Sequence, residues 1–264
     1  MPELIALSKS AHKNFRIKPI VSYSFCKDDN LCPIILQELH KVLVQGPLVF
    51  AKDPNSNFTL CALQSVQDKR NYFVNKNGEW KTTYIPARYR IHPFHLIKND
   101  ENKQVICFEK NHPQIGEDLT EGVDFFDRSG EPTQYLKNLI QFLTAYHENR
   151  DLTQKAIKTL TNMELIVPLT LRVKKDDKES STSGLWKVEK EKFAALPSDS
   201  LKILADNHAL EIIYAHFFSI NNFKDLVNLA DVEKKELGQK KLNLTEKAKK
   251  KQKDAQDKEL NNLV

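Results

Sequence analysis

The sequence predicts an α+β fold: a β-rich N-terminal half followed by helices mixed with a small antiparallel sheet. Three observations carry this reading. Short apolar runs bounded by turn residues crowd residues 48–109, whereas apolar spacing becomes helical over 131–161. The composition, with 40% hydrophobic and 28% charged residues and only seven glycines in 264, is that of a globular chain. No repeat stands out at solenoid periods.

Each element has a local reason. Residues 33–44 (PIILQELHKVLV) set Ile34, Leu36, Leu39, Val42 and Leu43 at helical spacing. Strands are expected over 48–51, 58–66, 71–74, 79–85 and 105–109. Asn77-Gly78 turns the chain between two of them, because both residues tolerate positive φ. Residues 131–145 carry Tyr135, Leu136, Leu139, Ile140, Phe142 and Leu143 on one helical stripe. Asp151 or Thr153 is then expected to cap a second helix reaching Thr161. Runs 165–173 and 185–188 predict two strands joined by the polar loop KKDDKESSTSG, and 190–196 and 198–206 predict short helices. Residues 210–218 (LEIIYAHFF), rich in β-branched and aromatic side chains, predict a strand.

Charge divides the chain into residues 1–232, expected to form one domain, and a lysine-rich tail over 233–264. In that tail ten lysines face six acidic residues, which accounts for four of the five net positive charges. With so few apolar residues the tail is expected to be solvated or disordered. The nearly neutral body gives no basis for a nucleic-acid groove. The longest apolar run near the N-terminus is Leu4 to Leu7, short of the ~7–15 residues of a leader core. No run approaches the ~20 apolar residues that cross a bilayer. The expectation is a cytoplasmic protein, or one that reaches the cell surface by a leaderless route, with no membrane insertion. Four cysteines, without CxxC or finger-like spacing, are expected to be reduced; Cys26 and Cys32 are placed to bridge only after export.

No GxSxG, P-loop, GxGxxG, HExxH or kinase-like set is present, so no catalytic residue and no cofactor is assigned. His92 and His95, in HPFH, lie three apart. Pro93 argues for extended chain, which puts them on opposite faces, and no neighbouring Cys, Asp or Glu completes a ligand set; no metal site is expected. His216, within YAHFF, reads as a hydrogen-bonded core histidine. Asp127 and Gly130 read as a turn. The densest unusual stretch is Trp80 to His95, where Trp80, Tyr84, Arg88, Arg90 and His92 interleave cations with rings. Such a mixture suits a protein or peptide interface, it also suits base stacking, and its bland reading is core rings with structural ion pairs. In an extended chain Arg88 and Arg90 share one face and Tyr89 takes the other.

Five segments in order carry a family resemblance: PLVFAKD (47–53), NYFVNKNGEWKTTYIPARYRIHPF (71–94), FFDRSGEPT (125–133), GLWKVEKEKFAAL (184–196) and LEIIYAHFFS (210–219). Together they resemble the bacterial SapC family over roughly residues 8–229. This family is distinct from the peptide-transporter permease of the same name. The resemblance implies a tie to a paracrystalline surface layer, from which the family takes its name, and supplies no catalytic residues. The function expected is a non-enzymatic protein acting through protein contacts, in a surface-layer assembly or as a cytoplasmic binding partner. The competing class is an enzyme of unrecognised type acting on a peptide or small molecule. A pocket of convergent polar groups favours the enzyme, and a broad aromatic–arginine face favours the binding protein.

Overall fold

The computed structural model describes residues 3–66, 69–99, 103–175 and 178–229, with the side chains of 171–183 excepted. The expected tail over 233–264 lies outside the described residues. In chain order the elements are β1 (Leu4–Ala6), α1 (Lys9–His12), β2 (Arg16–Ile17), β3 (Leu31–Pro33), α2 (Leu39–Val42), β4 (Leu48–Lys52) and β5 (Phe58–Leu63). There follow α3 (Ala87–Arg90), β6 (Phe94–Lys98), β7 (Gln104–Glu109), β8 (Ile115–Gly116) and β9 (Val123–Asp124). The second half holds α4 (Gln134–Asn162), β10 (Ile166–Lys175), β11 (Lys178–Val188), α5 (Lys190–Ala194), α6 (Ser198–Asp206) and α7 (Ala209–Ser219). The fold is α+β, with strands concentrated in the first half.

Among the described residues all strand pairing is antiparallel, in a five-stranded sheet of order β10-β11-β4-β5-β3 and two three-stranded sheets, β1-β7-β6 and β8-β2-β9. Two cores result. In one, Leu48, Phe50, Leu60 and Ala62 of the large sheet meet Ala156, Ile157 and Leu160 of α4 and Ile212 and Ile213 of α7. In the other, Phe94, Phe108 and Phe125 meet Leu136, Leu139, Leu143 and Tyr146 of α4. Helix α4 serves both because its 29 residues extend about 43 Å, so its first half lies in one core and its second half in the other.

That helix corrects the expected break at Asp151. Thr153 is a cap-type residue, but here its hydroxyl donates back to the Asn149 carbonyl (2.6 Å) and accepts the Leu36 N–H (2.9 Å), so it sits inside a continuous helix. Thr133 is the residue that caps, accepting from Leu136 N at 3.4 Å.

The expected strand over 210–218 is helix α7. Ala209, Ile212, Ile213, Ala215, His216 and Ser219 are buried while Tyr214 and Phe218 are exposed, a 3.6-residue period that packing against the large sheet favours over β-branched composition. In the polar loop expected between 173 and 185 the described residues are instead strand, since β10 and β11 pair as far as Lys175↔Lys178. The helix expected over 33–44 shrinks to a 3₁₀ turn, Leu36–Glu38, followed by α2, because Pro33 and its neighbours pair with β5. Strands expected over 71–74 and 79–85 reduce to one bridge, Val74↔Trp80. The Asn75 side chain holds that turn by accepting from Asn77 N and Glu79 N, with Gly78 at φ +80°. All four cysteines are free and buried. Among the described residues no helix is long and apolar enough to cross a membrane.

Candidate functional site

Residues 80–95 do not run extended. Pro86 stands as an extended N-cap and the chain then winds through α3, so Arg88 and Arg90, about 200° apart around a helix, face opposite sides. This overturns the shared face expected for them. Tyr89 goes inward, 4% exposed, with its hydroxyl within reach of Gln64 Oε1 (2.7 Å) and Asp29 Oδ2 (3.2 Å).

Three of the five expected binding residues are committed to the fold. Trp80 Nε1 donates to Thr82 Oγ1 (2.7 Å) and the Tyr84 carbonyl (2.9 Å), and its ring meets those of Tyr23, Phe73 and Tyr89. Tyr84 donates to Glu38 Oε2 (3.0 Å) and accepts from Arg90 Nη2 (2.8 Å). The Arg90 guanidinium lies over the rings of Tyr84 (5.1 Å) and Phe142 (4.9 Å). At the centre is Glu38, only 2% exposed, which also accepts from Ile35 N (3.1 Å) and Ala87 N (2.7 Å). Burial pushes its carboxyl above the usual range, against the pull of these donors and of Arg90.

Arg88 and His92 lie on the other side. They help line an open pocket of about 550 Å³, with Phe25, Asp29, Tyr89 and Glu109. Arg88 is partly buried yet makes no hydrogen bond or ion pair among the described residues; its charge acts on the Asp29 carboxyl, pulling it down against the larger upward push of burial. Phe25, 42% exposed, stacks on His92 at 3.8 Å and 17°. His92 Nε2 is 3.2 Å from His112 Nε2, and His92 Nδ1 is 3.7 Å from Glu109 Oε1. His95 Nε2 is buried without a hydrogen-bond partner, 3.9 Å from the same carboxylate oxygen. His92 and His95 therefore converge on one acidic group, contrary to the opposite faces expected of HPFH, because the chain turns at Ile91 before entering β6. Burial, then the positive neighbours His112, Arg88 and His95, bring His92 from its ordinary 6.5 down to about 4. Burial likewise lowers His95 and His112.

Phe25, Asp29, Glu109 and His112 escape a sequence reading because they come from distant segments. Glu109 ends β7, and the turn that follows, closed by His112 N to the Glu109 carbonyl (3.2 Å), returns His112 beside it. The local signal was the Glu-x-x-His spacing of Glu109 and His112. His216 is a satisfied core histidine: Nδ1 donates to the Leu48 carbonyl (2.8 Å) and Nε2 accepts from Val188 N (3.3 Å). Asp127 is a turn residue, accepting from Glu131 N and Ser129 Oγ.

Fold and site together define an α+β protein with an aromatic-rimmed, mixed-charge pocket, beside which Cys26 is buried with its thiol pushed up to about 12. The chain belongs to the SapC family, whose model matches residues 7–226. No curated protein and no solved structure matches it.

Proposed function

We propose that this SapC-family protein is a non-enzymatic binding protein that takes a segment of a partner protein or peptide into the pocket beside α3. The observation that carries the reading is Arg88, a partly buried guanidinium without a direct partner on the wall of an open pocket. A guanidinium so placed is matched by a carboxylate, which it holds through two parallel hydrogen bonds. Phe25 beside it offers apolar area, so the partner segment presents an acidic residue next to an apolar one. The setting is a surface-layer assembly, after which the family is named, or a complex in the cytoplasm.

A specific observation favours a second reading. Asp29, Arg88, His92 and Glu109 converge on one concavity, as in an enzyme acting on a peptide or small molecule. Selection of a random peptide library on the full-length protein separates the two. Enriched peptides are expected to share an Asp or Glu beside an apolar residue, to remain chemically unchanged, and to bind about tenfold or more weakly to Arg88→Ala than to Arg90→Ala. Selection without an acidic preference, or binding indifferent to Arg88→Ala, overturns the first reading; turnover of the bound peptide establishes the second.

A further inference from the structure

We propose that His92, Glu109 and His112 form a binding site for one divalent transition-metal ion of the zinc class. This goes beyond the peptide-binding reading and does not rest on it.

Ligand type and spacing carry the proposal. One ligand atom from each of the three residues lies within 4.8 Å of the others, and all three side chains are partly buried. Two imidazole nitrogens bound to one tetrahedral ion at ~2.0–2.1 Å stand about 3.3 Å apart. The Nε2 atoms of His92 and His112 are separated by 3.2 Å. Two imidazoles and one carboxylate are a borderline set that suits zinc, and oxygen-seeking magnesium or calcium prefers other ligands.

The surroundings supply what three ligands leave out. His92 and Glu109 also line the pocket, so the fourth coordination position opens toward it. The unpartnered Nε2 of His95, 3.9 Å from Glu109 Oε1, is placed to orient that carboxylate from behind once it ligates. Two features oppose the ion. Arg88 adds positive charge, which Asp29 partly offsets. Gln114 N points at His112 Nδ1 at 3.4 Å, a contact at the limit of a hydrogen bond that the ring gives up when Nδ1 takes the proton and Nε2 takes the metal. The proton that lay between the two Nε2 atoms is the one that moves to His112 Nδ1, so both rings bind as neutral imidazoles and the proton count is unchanged.

The test uses full-length protein freed of metal by a chelator and titrated with cobalt chloride, then zinc chloride, followed by calorimetry and visible absorption. One saturable equivalent of cobalt is expected, with the intense absorption of a tetrahedral or five-coordinate ion, displaced by zinc. Glu109→Gln and His112→Ala are each expected to weaken binding by about 100-fold, and His95→Ala by about tenfold. A melting curve of each variant establishes that it is folded. If His112→Ala is not, the isosteric Glu109→Gln decides. Absence of saturable binding overturns the proposal, as does an affinity that stays within about twofold of the parent in folded Glu109→Gln.

Discussion

The two sides of α3 are built from similar residues and differ in what those residues have left to do. On one side Glu38, Tyr84 and Arg90 close a chain in which every charged or polar end has a partner. On the other, Arg88 has no direct partner, His95 Nε2 is orphaned, and His92 and Glu109 stand 3.7 Å apart beside open space. Exposure alone points the wrong way, since Arg90 is exposed and Arg88 is partly buried. What separates structure from binding here is the count of unused hydrogen-bonding groups, because buried polar groups that serve only the fold are nearly always satisfied.

The sharpest break of the satisfied side is Glu38→Ala. It strands the Ile35 and Ala87 N–H groups and the Tyr84 hydroxyl. At about 1–3 kcal/mol for each buried orphan, the loss is at least about 3 kcal/mol. For a domain of this size that lowers the melting midpoint by roughly 6–12 °C or more. A loss below about 1 kcal/mol in chemical denaturation contradicts the assignment.

His92 on one side and Glu38 on the other also titrate with opposite signs in metal-free protein. His92 is held down from 6.5 to about 4, so as pH falls through that window the unfolded chain gains a proton that the folded chain refuses. Its contribution to stability is complete above pH 6.5 and is lost toward about pH 4. Glu38 is raised from 4.5, so as pH rises above that value the unfolded chain releases a proton that the folded chain keeps, and stability falls with rising pH. Melting midpoints from about pH 4 to about pH 8 are expected to show a shallower acid-side slope in His92→Gln and a weaker opposing slope in Glu38→Gln. Identical pH profiles for the parent and both variants contradict both assignments.

Tyr84→Phe has a smaller effect. It removes the hydroxyl between Glu38 and Arg90 but keeps the ring under Arg90, and is expected to cost about 1–2 kcal/mol in denaturant unfolding. No measurable loss would mean that the chain of hydrogen bonds does not hold this side together.

How far the sequence carries this picture follows the same division. Local patterns were legible: the α+β class, the Asn77-Gly78 turn, the 131–145 stripe and the paired runs around β10 and β11. Composition misled where packing prevailed. The β-branched run at 210–218 is a helix whose true period, Ile212, Ile213, Ala215, His216 and Ser219, was present but outweighed by residue type. The cap-like Thr153 is spent on Leu36 N, a partner 117 positions away. Of the candidate site, Arg88 and His92 were legible as unusual residues. Their surroundings were not, because Phe25, Asp29, Glu109 and His112 arrive through pairing of distant segments, which no periodicity records. The extended reading of 86–90 then placed Arg88 and Arg90 on one face, and a single helical turn separates them.

That separation is the central claim, and the melting midpoints of Arg88→Ala and Arg90→Ala, measured side by side in the full-length protein, test it most directly. Arg90→Ala gives up a hydrogen bond to Tyr84 and two ring contacts, about 1–2 kcal/mol together, and is expected to melt roughly 2–8 °C lower. Arg88→Ala removes no direct bond and is expected to stay within about 0.5 kcal/mol, or about 2 °C, of the parent. A reversed order, with Arg88→Ala the less stable, contradicts the account and makes Arg88 part of the structural framework.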